Sequence, residues 1–146
     1  MIYIDASLFV FAALNTENVG DEARSLLRDV QTGKLEAISS ALTFDELVWA
    51  VKRNRTSEDA IASGEAFLNM PRLRLVDVDG NIIARALALM RKNQLDPRDS
   101  NHAASALSIL TESRRSEEKG FRASDSRGFA RPAFKSMAQV QELLRR

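Results

Sequence analysis

Four acidic residues stand where chemistry could be done, each just after a stretch typical of a strand or at the start of a helix. They are Asp5, Glu46, Asp99 and Asp125. If they face one crevice, two carboxylates about 5 Å apart repel by roughly 3 kcal/mol at an effective dielectric near 20. A divalent cation would offset that repulsion, and oxygen ligands without cysteine or histidine favour Mg²⁺ or Mn²⁺ over zinc. Because such ions activate water and stabilise charge on a phosphoryl group, the four acids predict phosphodiester hydrolysis.

Each acid also has a structural interpretation. Glu46 is the third residue after Thr43, which is the spacing of a capping box, and Asp99 is the third after Asp96, where a helix dipole favours an acid. Asp125 could belong to a turn. Asp5 is the hardest to explain in this way, because it closes an apolar stretch and a partly desolvated carboxylate seldom lacks a partner.

The elements that must position these acids alternate between strands and helices. Apolar patterns predict strands at 1–5, 35–38, 73–78 and 121–124, and periodicity with capping signals predicts helices at 6–14, 21–31, 43–54, 58–69, 81–92, from 97 onward and at 136–144. We expect a turn at 39–40 and a charged connection at 111–120. The alternation predicts an α/β fold with a mostly parallel central sheet of about four to five strands and helices on both faces. Ligands of such sheets bind beyond the carboxyl ends of the strands.

Length and composition bound the class of protein. The chain has 146 residues, 45% hydrophobic and 28% charged, which fits one globular domain over 1–146. It has no cysteine, so thiolate chemistry is excluded and a reducing cytoplasm is the expected location. The longest apolar run, 8–14, is too short to cross a membrane and has no charged segment before it, so we expect neither a membrane span nor a signal peptide.

Three blocks of sequence resemble the PIN-domain superfamily, and within it the VapC-type toxins. Residues 1–7 (MIYIDAS) are similar to the opening strand with its first acid, 43–47 (TFDEL) to the helix with the second, and 99–107 (DSNHAASAL) to the helix that begins with the third. Their order and spacing span almost the whole chain. The resemblance implies a parallel sheet flanked by helices, a magnesium or manganese site, RNA cleavage, a homodimer and a cognate antitoxin.

The fourth block departs from the family pattern. In the family, a hydroxyl residue, one variable residue and an acid leave the last strand, and an aromatic residue follows three positions later. In this chain Ser124 and Phe129 fit that spacing only if Ser126 stands in the position of the acid. Taking Asp125 as the fourth acid shifts the aromatic residue by one position. We favour Asp125, since a slip of one residue in a loop costs less than a missing carboxylate.

Substrate contacts are less sharply marked. Residues 113–146 contain nine Lys and Arg and four Asp and Glu, so this end of the chain is basic. Arg98 and Arg127 adjoin the third and fourth acids and could hold phosphates, while Ser7, Ser124 and Ser126 are lesser candidates that could orient an acid or a water. A solvated surface is an equally good interpretation of any single arginine.

Two other side chains remain to be weighed. The one histidine, His102, fits a satisfied, partly buried group better than a catalytic base, and Trp49 is left open between core and surface.

The resulting hypothesis is a Mg²⁺- or Mn²⁺-dependent endoribonuclease, the toxin of a toxin–antitoxin pair, that acts on RNA. The alternative is a weak or inactive PIN-like module in RNA binding or complex formation, which the imperfect fourth block favours. A phosphatase with Asp5 as its nucleophile is disfavoured, because it would need a second acid two positions on, where Ser7 stands.

Overall fold

The computed structural model describes the backbone of residues 1–118 and the side chains of residues 1–111. The chain divides into two compact units, Ile2–Asp77 and a second that starts at Val78. The predicted strand at 121–124 and the predicted helix at 136–144 lie outside the described residues. The single domain over 1–146 stays a prediction.

The first unit is a three-stranded parallel sheet with two pairs of connecting helices. Its elements are β1 (Ile2–Tyr3), α1 (Ala6–Leu14), α2 (Asn18–Gln31), β2 (Ala37–Ser40), α3 (Leu42–Asn54), α4 (Ser57–Leu68) and β3 (Leu73–Val76). The strand order is β1-β2-β3, with Ile2 opposite Ala37 and Ala37 opposite Leu73. All strands run in one direction, so the residues that follow β1 and β2 emerge at the same edge of the sheet. The predicted parallel α/β fold is confirmed.

Large apolar side chains form the core of the first unit. Phe9 of α1 meets Phe67 of α4 edge to face, with ring centroids 5.0 Å apart, and Val30 of α2 and Val51 of α3 are also fully enclosed. This contact packs α1 against α4. The core therefore holds the ends of β1 and β2 in a defined place.

Two local features shape the connections of the first unit. Gly33 has a φ of 79°, which lets the chain leave α2. Gly20 passes so close to the preceding loop that an added Cβ would lie 2.0 Å from the carbonyl oxygen of Asn15. At position 20, any residue larger than glycine would therefore force the backbone to move.

The second unit begins with a helical hairpin. It consists of α5 (Gly80–Asn93) and α6 (Pro97–Glu118). Ile82 and Ala86 of α5 pack with Ala104 of α6, and Gln94 ends α5 in the left-handed conformation with a φ of 54°. The small residues on α6 allow the two helices to approach closely; the sequence predicts close packing of this face on a sheet.

Several boundaries differ from the sequence-based prediction. The strands β1 and β3 are shorter than 1–5 and 73–78, and α2 begins at Asn18 instead of 21. Strand β2 extends through Ser39 and Ser40, where a turn was expected, because both serines are fully buried and their hydroxyl groups are hydrogen-bonded. Helix α3 starts at Leu42. Helix α6 continues to Glu118, through most of the expected connection at 111–120. The prediction of a connection at 111–120 rests on its charged residues, but charged residues also suit an exposed helix.

Candidate active site

Asp5 lies at the carboxyl end of β1 and begins α1. The preceding residue, Ile4, still belongs to the sheet edge, since its N–H donates to the carbonyl of Ile38 at 2.8 Å. The Asp5 side chain is 8% exposed, and its Oδ1 accepts a hydrogen bond from the N–H of Ser7 at 3.0 Å. Asp5 is thus the N-cap of α1. A carboxylate in this position is both buried and held in orientation by the first turn of a helix.

A buried pair of hydroxyl groups joins the end of β1 to the start of α3. Ser39 Oγ lies 2.7 Å from the carbonyl oxygen of Ile4 and 2.9 Å from Thr43 Oγ1. The Ser39 hydroxyl has one proton and a carbonyl oxygen only accepts, so Ser39 donates to Ile4 and accepts from Thr43. All of these atoms are in the interior. The chain of hydrogen bonds therefore fixes the residue before Asp5 relative to the helical turn that leads to Glu46.

Glu46 projects from the second turn of α3 and is half-buried. The capping box that the sequence suggested for Thr43 and Glu46 does not form. Thr43 lies inside the helix, the N-cap is Ala41, and the Thr43 hydroxyl points to Ser39. Glu46 thus lies about one turn after the start of the helix that follows β2, and its role as a metal ligand stays a prediction.

Asp99 and Arg98 lie in the first turn of α6, in the second unit. Pro97 is the first residue of this helix, as predicted, and the N–H of Ser100 donates to the carbonyl of Asp96 at 2.9 Å. Asp99 is half-buried and Arg98 is exposed. The helix start thus presents one acid and one cation next to each other.

The donor set suits a hard divalent cation. The candidate ligands are carboxylates, and carboxylate oxygens are what Mg²⁺ and Mn²⁺ prefer. Among the described residues, neither unit by itself gathers three His, Asp or Glu side chains in an arrangement that could hold a metal ion. Asp5 and Glu46 belong to the first unit and Asp99 to the second. Their joint action as metal ligands stays a prediction.

Two other acids are explained by helix capping. The N–H of Ile82 bonds to Asp79 at 2.9 Å and, with the side chain of Asn81, lowers the pKa of Asp79. The hydroxyl and N–H of Thr56 lower the pKa of Asp59 in the capping box of α4. Both carboxylates are exposed, so their charge is solvated and calls for no metal.

The remaining predicted residues are placed as follows. Ser7 is exposed, and its backbone N–H contacts Asp5. His102 is buried on α6, which agrees with a structural side chain. Ser124, Asp125, Ser126 and Arg127 lie outside the described residues, so the fourth acid stays a prediction.

Comparison with known proteins identifies the family. The sequence model of the PIN domain matches residues 2–134. This chain belongs to the PIN-domain family. A search of curated proteins found no significant match. Among solved structures, the PIN-domain chain resembles VapC20 of Mycobacterium tuberculosis, described as a toxin that cleaves the sarcin–ricin loop, with a TM-score of 0.59, 16% sequence identity and coverage of 82% of this chain and 84% of that one. The predicted PIN fold is confirmed.

Sequence reasoning missed the two hydroxyl residues that connect the candidate acids of this PIN domain. Ser39 was assigned to a turn and Thr43 to a helix cap, whereas both are buried and bonded to each other. A signal was present, because Ser39 and Ser40 directly follow the apolar pair Ala37-Ile38. Small hydroxyl residues at the end of a buried strand can satisfy carbonyl groups that the sheet leaves open.

Proposed function

We propose that this PIN-domain protein is an endoribonuclease that depends on Mg²⁺ or Mn²⁺ and is the toxin of a toxin–antitoxin pair. The observation that carries the proposal is the buried carboxylate of Asp5 at the carboxyl end of β1, in a chain that the PIN model matches over 2–134. The likeness to a VapC toxin that cleaves RNA supports RNA as the substrate.

Asp5, Glu46, Asp99 and Asp125 are the proposed ligands of one or two ions. When bound, the ion would activate a water molecule and stabilise the charge that develops on the phosphoryl group. Asp5 is kept in orientation by the Ser7 N–H and by the hydrogen bonds that anchor Ile4. These contacts hold the carboxylate in a defined orientation, so that little reorganisation would be needed during the reaction.

Cations next to the acids would hold the substrate. Arg98 adjoins Asp99 on an exposed turn, and Arg127 adjoins the proposed fourth acid in the sequence, so both could bind phosphates on either side of the scissile bond. Ser124 and Ser126 are proposed to orient the fourth acid or a water.

The proposed partners follow from the toxin assignment. They are the RNA substrate, a cognate antitoxin and a second copy of this chain, in the cytoplasm. Among the described helices, none is long and apolar enough to cross a membrane.

Metal removal tests the proposal. Purified protein is expected to cut single-stranded RNA internally in Mg²⁺, to stop in excess EDTA, and to recover when Mn²⁺ is restored. Titration calorimetry should also show that Mn²⁺ binds the wild type and that it binds the Glu46→Gln variant more weakly. Gln keeps the size of the side chain but removes a charged ligand. Cleavage that persists in EDTA would contradict the metal mechanism, and absence of both binding and cleavage would favour the alternative, an inactive PIN module.

A further inference from the structure

The outer face of α3 carries an exposed tryptophan. Trp49 is 49% exposed, and it is the one tryptophan of the chain. The guanidinium carbon of Arg53 lies 4.9 Å from the centroid of its ring. This is the geometry of a cation–π contact, which is modest in strength at an exposed site. The contact holds the indole in place and leaves a large part of its surface in contact with solvent.

The tryptophan and arginine share a helix face with Glu46. Trp49 is three residues after Glu46 and Arg53 is seven residues after it, a spacing that puts all three on one side of α3. At the helical rise, Trp49 lies one turn from Glu46 and Arg53 lies about 10 Å along the axis. The core side of the same helix is formed by Thr43, Leu47 and Val51. A strand of RNA that runs from Glu46 along this side of α3 passes over Trp49 and Arg53.

The surroundings of Trp49 favour a nucleic acid over a protein. Exposed charged residues flank it on α3, namely Asp45, Lys52 and Arg53. Single-stranded nucleic acids are bound by aromatic rings set beside cations, and Lys52 and Arg53 are two exposed cations on the turn that follows Trp49.

We propose that Trp49 and Arg53 form a platform for single-stranded RNA beside Glu46, with an unpaired base stacked on the indole and the adjacent phosphate bound by the guanidinium. The assignment of RNA rests on the proposed function. A stacked guanidinium keeps its N–H groups in its own plane, so Arg53 can contact the ring and a phosphate at once. The stacking accepts any base, and the platform therefore supplies affinity and position without sequence selection.

The test measures RNA binding in EDTA, so that cleavage is off. Anisotropy of a labelled, short single-stranded RNA gives Kd for the wild type, Trp49→Ala, Trp49→Phe and Arg53→Gln. Loss of one stacked base should raise Kd about 5- to 100-fold in Trp49→Ala, whereas Trp49→Phe should retain most of the affinity. Arg53→Gln should lower the slope of log Kd against log salt by about one. Ile61→Ala removes an exposed apolar side chain outside the platform and should bind as the wild type does. Saturable quenching of the tryptophan emission of the wild type would support the stacking.

Each outcome separates the platform from the catalytic proposal. If the wild type cuts RNA but Trp49→Ala leaves Kd, and KM for cleavage, unchanged, the platform is wrong and the nuclease stands. If RNA quenches Trp49 and Trp49→Ala weakens binding while no protein cuts RNA, the platform stands and the nuclease fails. If Trp49→Ala changes the oligomeric state by sedimentation and not RNA affinity, the face is a protein interface and the inference is overturned. Thermal unfolding of every variant establishes that it is folded.

Discussion

At the scale of single residues, the geometry of Asp5 depends on groups that carry no charge. The Ser7 N–H holds one carboxylate oxygen, and Ser39 holds the carbonyl of the residue before it. These bonds are formed in the interior, where a lost partner leaves a buried polar atom unsatisfied. We therefore expect that loss of the Ser39 hydrogen bonds misplaces the Asp5 carboxylate, although no proposed metal ligand is removed.

Ser39→Ala tests this dependence. The substitution leaves the Ile4 carbonyl and the Thr43 hydroxyl without the Ser39 partner, so the free energy of unfolding should fall by about 1–3 kcal/mol. RNA cleavage should fall as well, at temperatures where the variant is folded. Ser25→Ala is the matched control, because Ser25 is exposed on α2 and its loss should change stability by less than about 0.5 kcal/mol. Chemical denaturation measures both, and equal stability of the two variants would contradict the role of the Ser39 hydroxyl.

The sequence identified the candidate acids more readily than the groups that hold them. Asp5 and Asp99 could be predicted because each follows a clear local signal, an apolar strand or an Asp-Pro helix start. The apolar pair before Ser39 marks the end of a buried strand, but the hydrogen-bond partners of Ser39 and Thr43 could not be predicted, since they depend on which strand neighbours β2 and on the side from which α3 leaves it. Trp49 was left open for the same reason, because periodicity alone does not say which side of α3 is covered.

At the scale of elements, helix and strand order was predicted well and the boundaries less well. Parallel pairing followed from the alternation of strands and helices. The ends of β2 and α6 were misplaced because serine pairs and charged runs are typical of turns on their own, and their burial or helical continuation depends on tertiary packing. Close contacts between backbone segments cannot be predicted from the sequence either, because they depend on where the neighbouring loop lies.

Two glycine substitutions test this view with opposite signs. At Gly20 an added methyl group would meet the carbonyl oxygen of Asn15, so Gly20→Ala should lower stability by about 1–3 kcal/mol. At Gly80, the first residue of α5, no atom lies within 4 Å of an added Cβ, and Gly80→Ala should stabilise by up to about 1 kcal/mol. Thermal or urea unfolding compares them with the wild type. Two changes of the same sign and size would show that glycine entropy, and not the close approach, governs both sites.

At the scale of the whole molecule, family membership and local structure carry the functional account together. The PIN model covers 2–134, and the likeness to VapC20 shows the fold. The fold by itself would not identify a reaction. The proposed metal chemistry rests on Asp5, Glu46 and Asp99, each of which lies at the end of a strand or near the start of a helix. Asp125 completes the proposed set.

The most direct measurement of the central claim is the rate of internal RNA cleavage by the wild type and by Asp5→Asn at saturating Mg²⁺. Asparagine is similar in size and can still accept the Ser7 N–H bond as an N-cap, so the variant should fold while losing one negative ligand. A loss of about 3 kcal/mol in transition-state stabilisation corresponds to a rate at least about 100-fold lower. Asp45→Asn, which neutralises an exposed acid on α3, is the control for charge. The account predicts that Asp5→Asn loses cleavage and Asp45→Asn retains it; full activity in Asp5→Asn would contradict it.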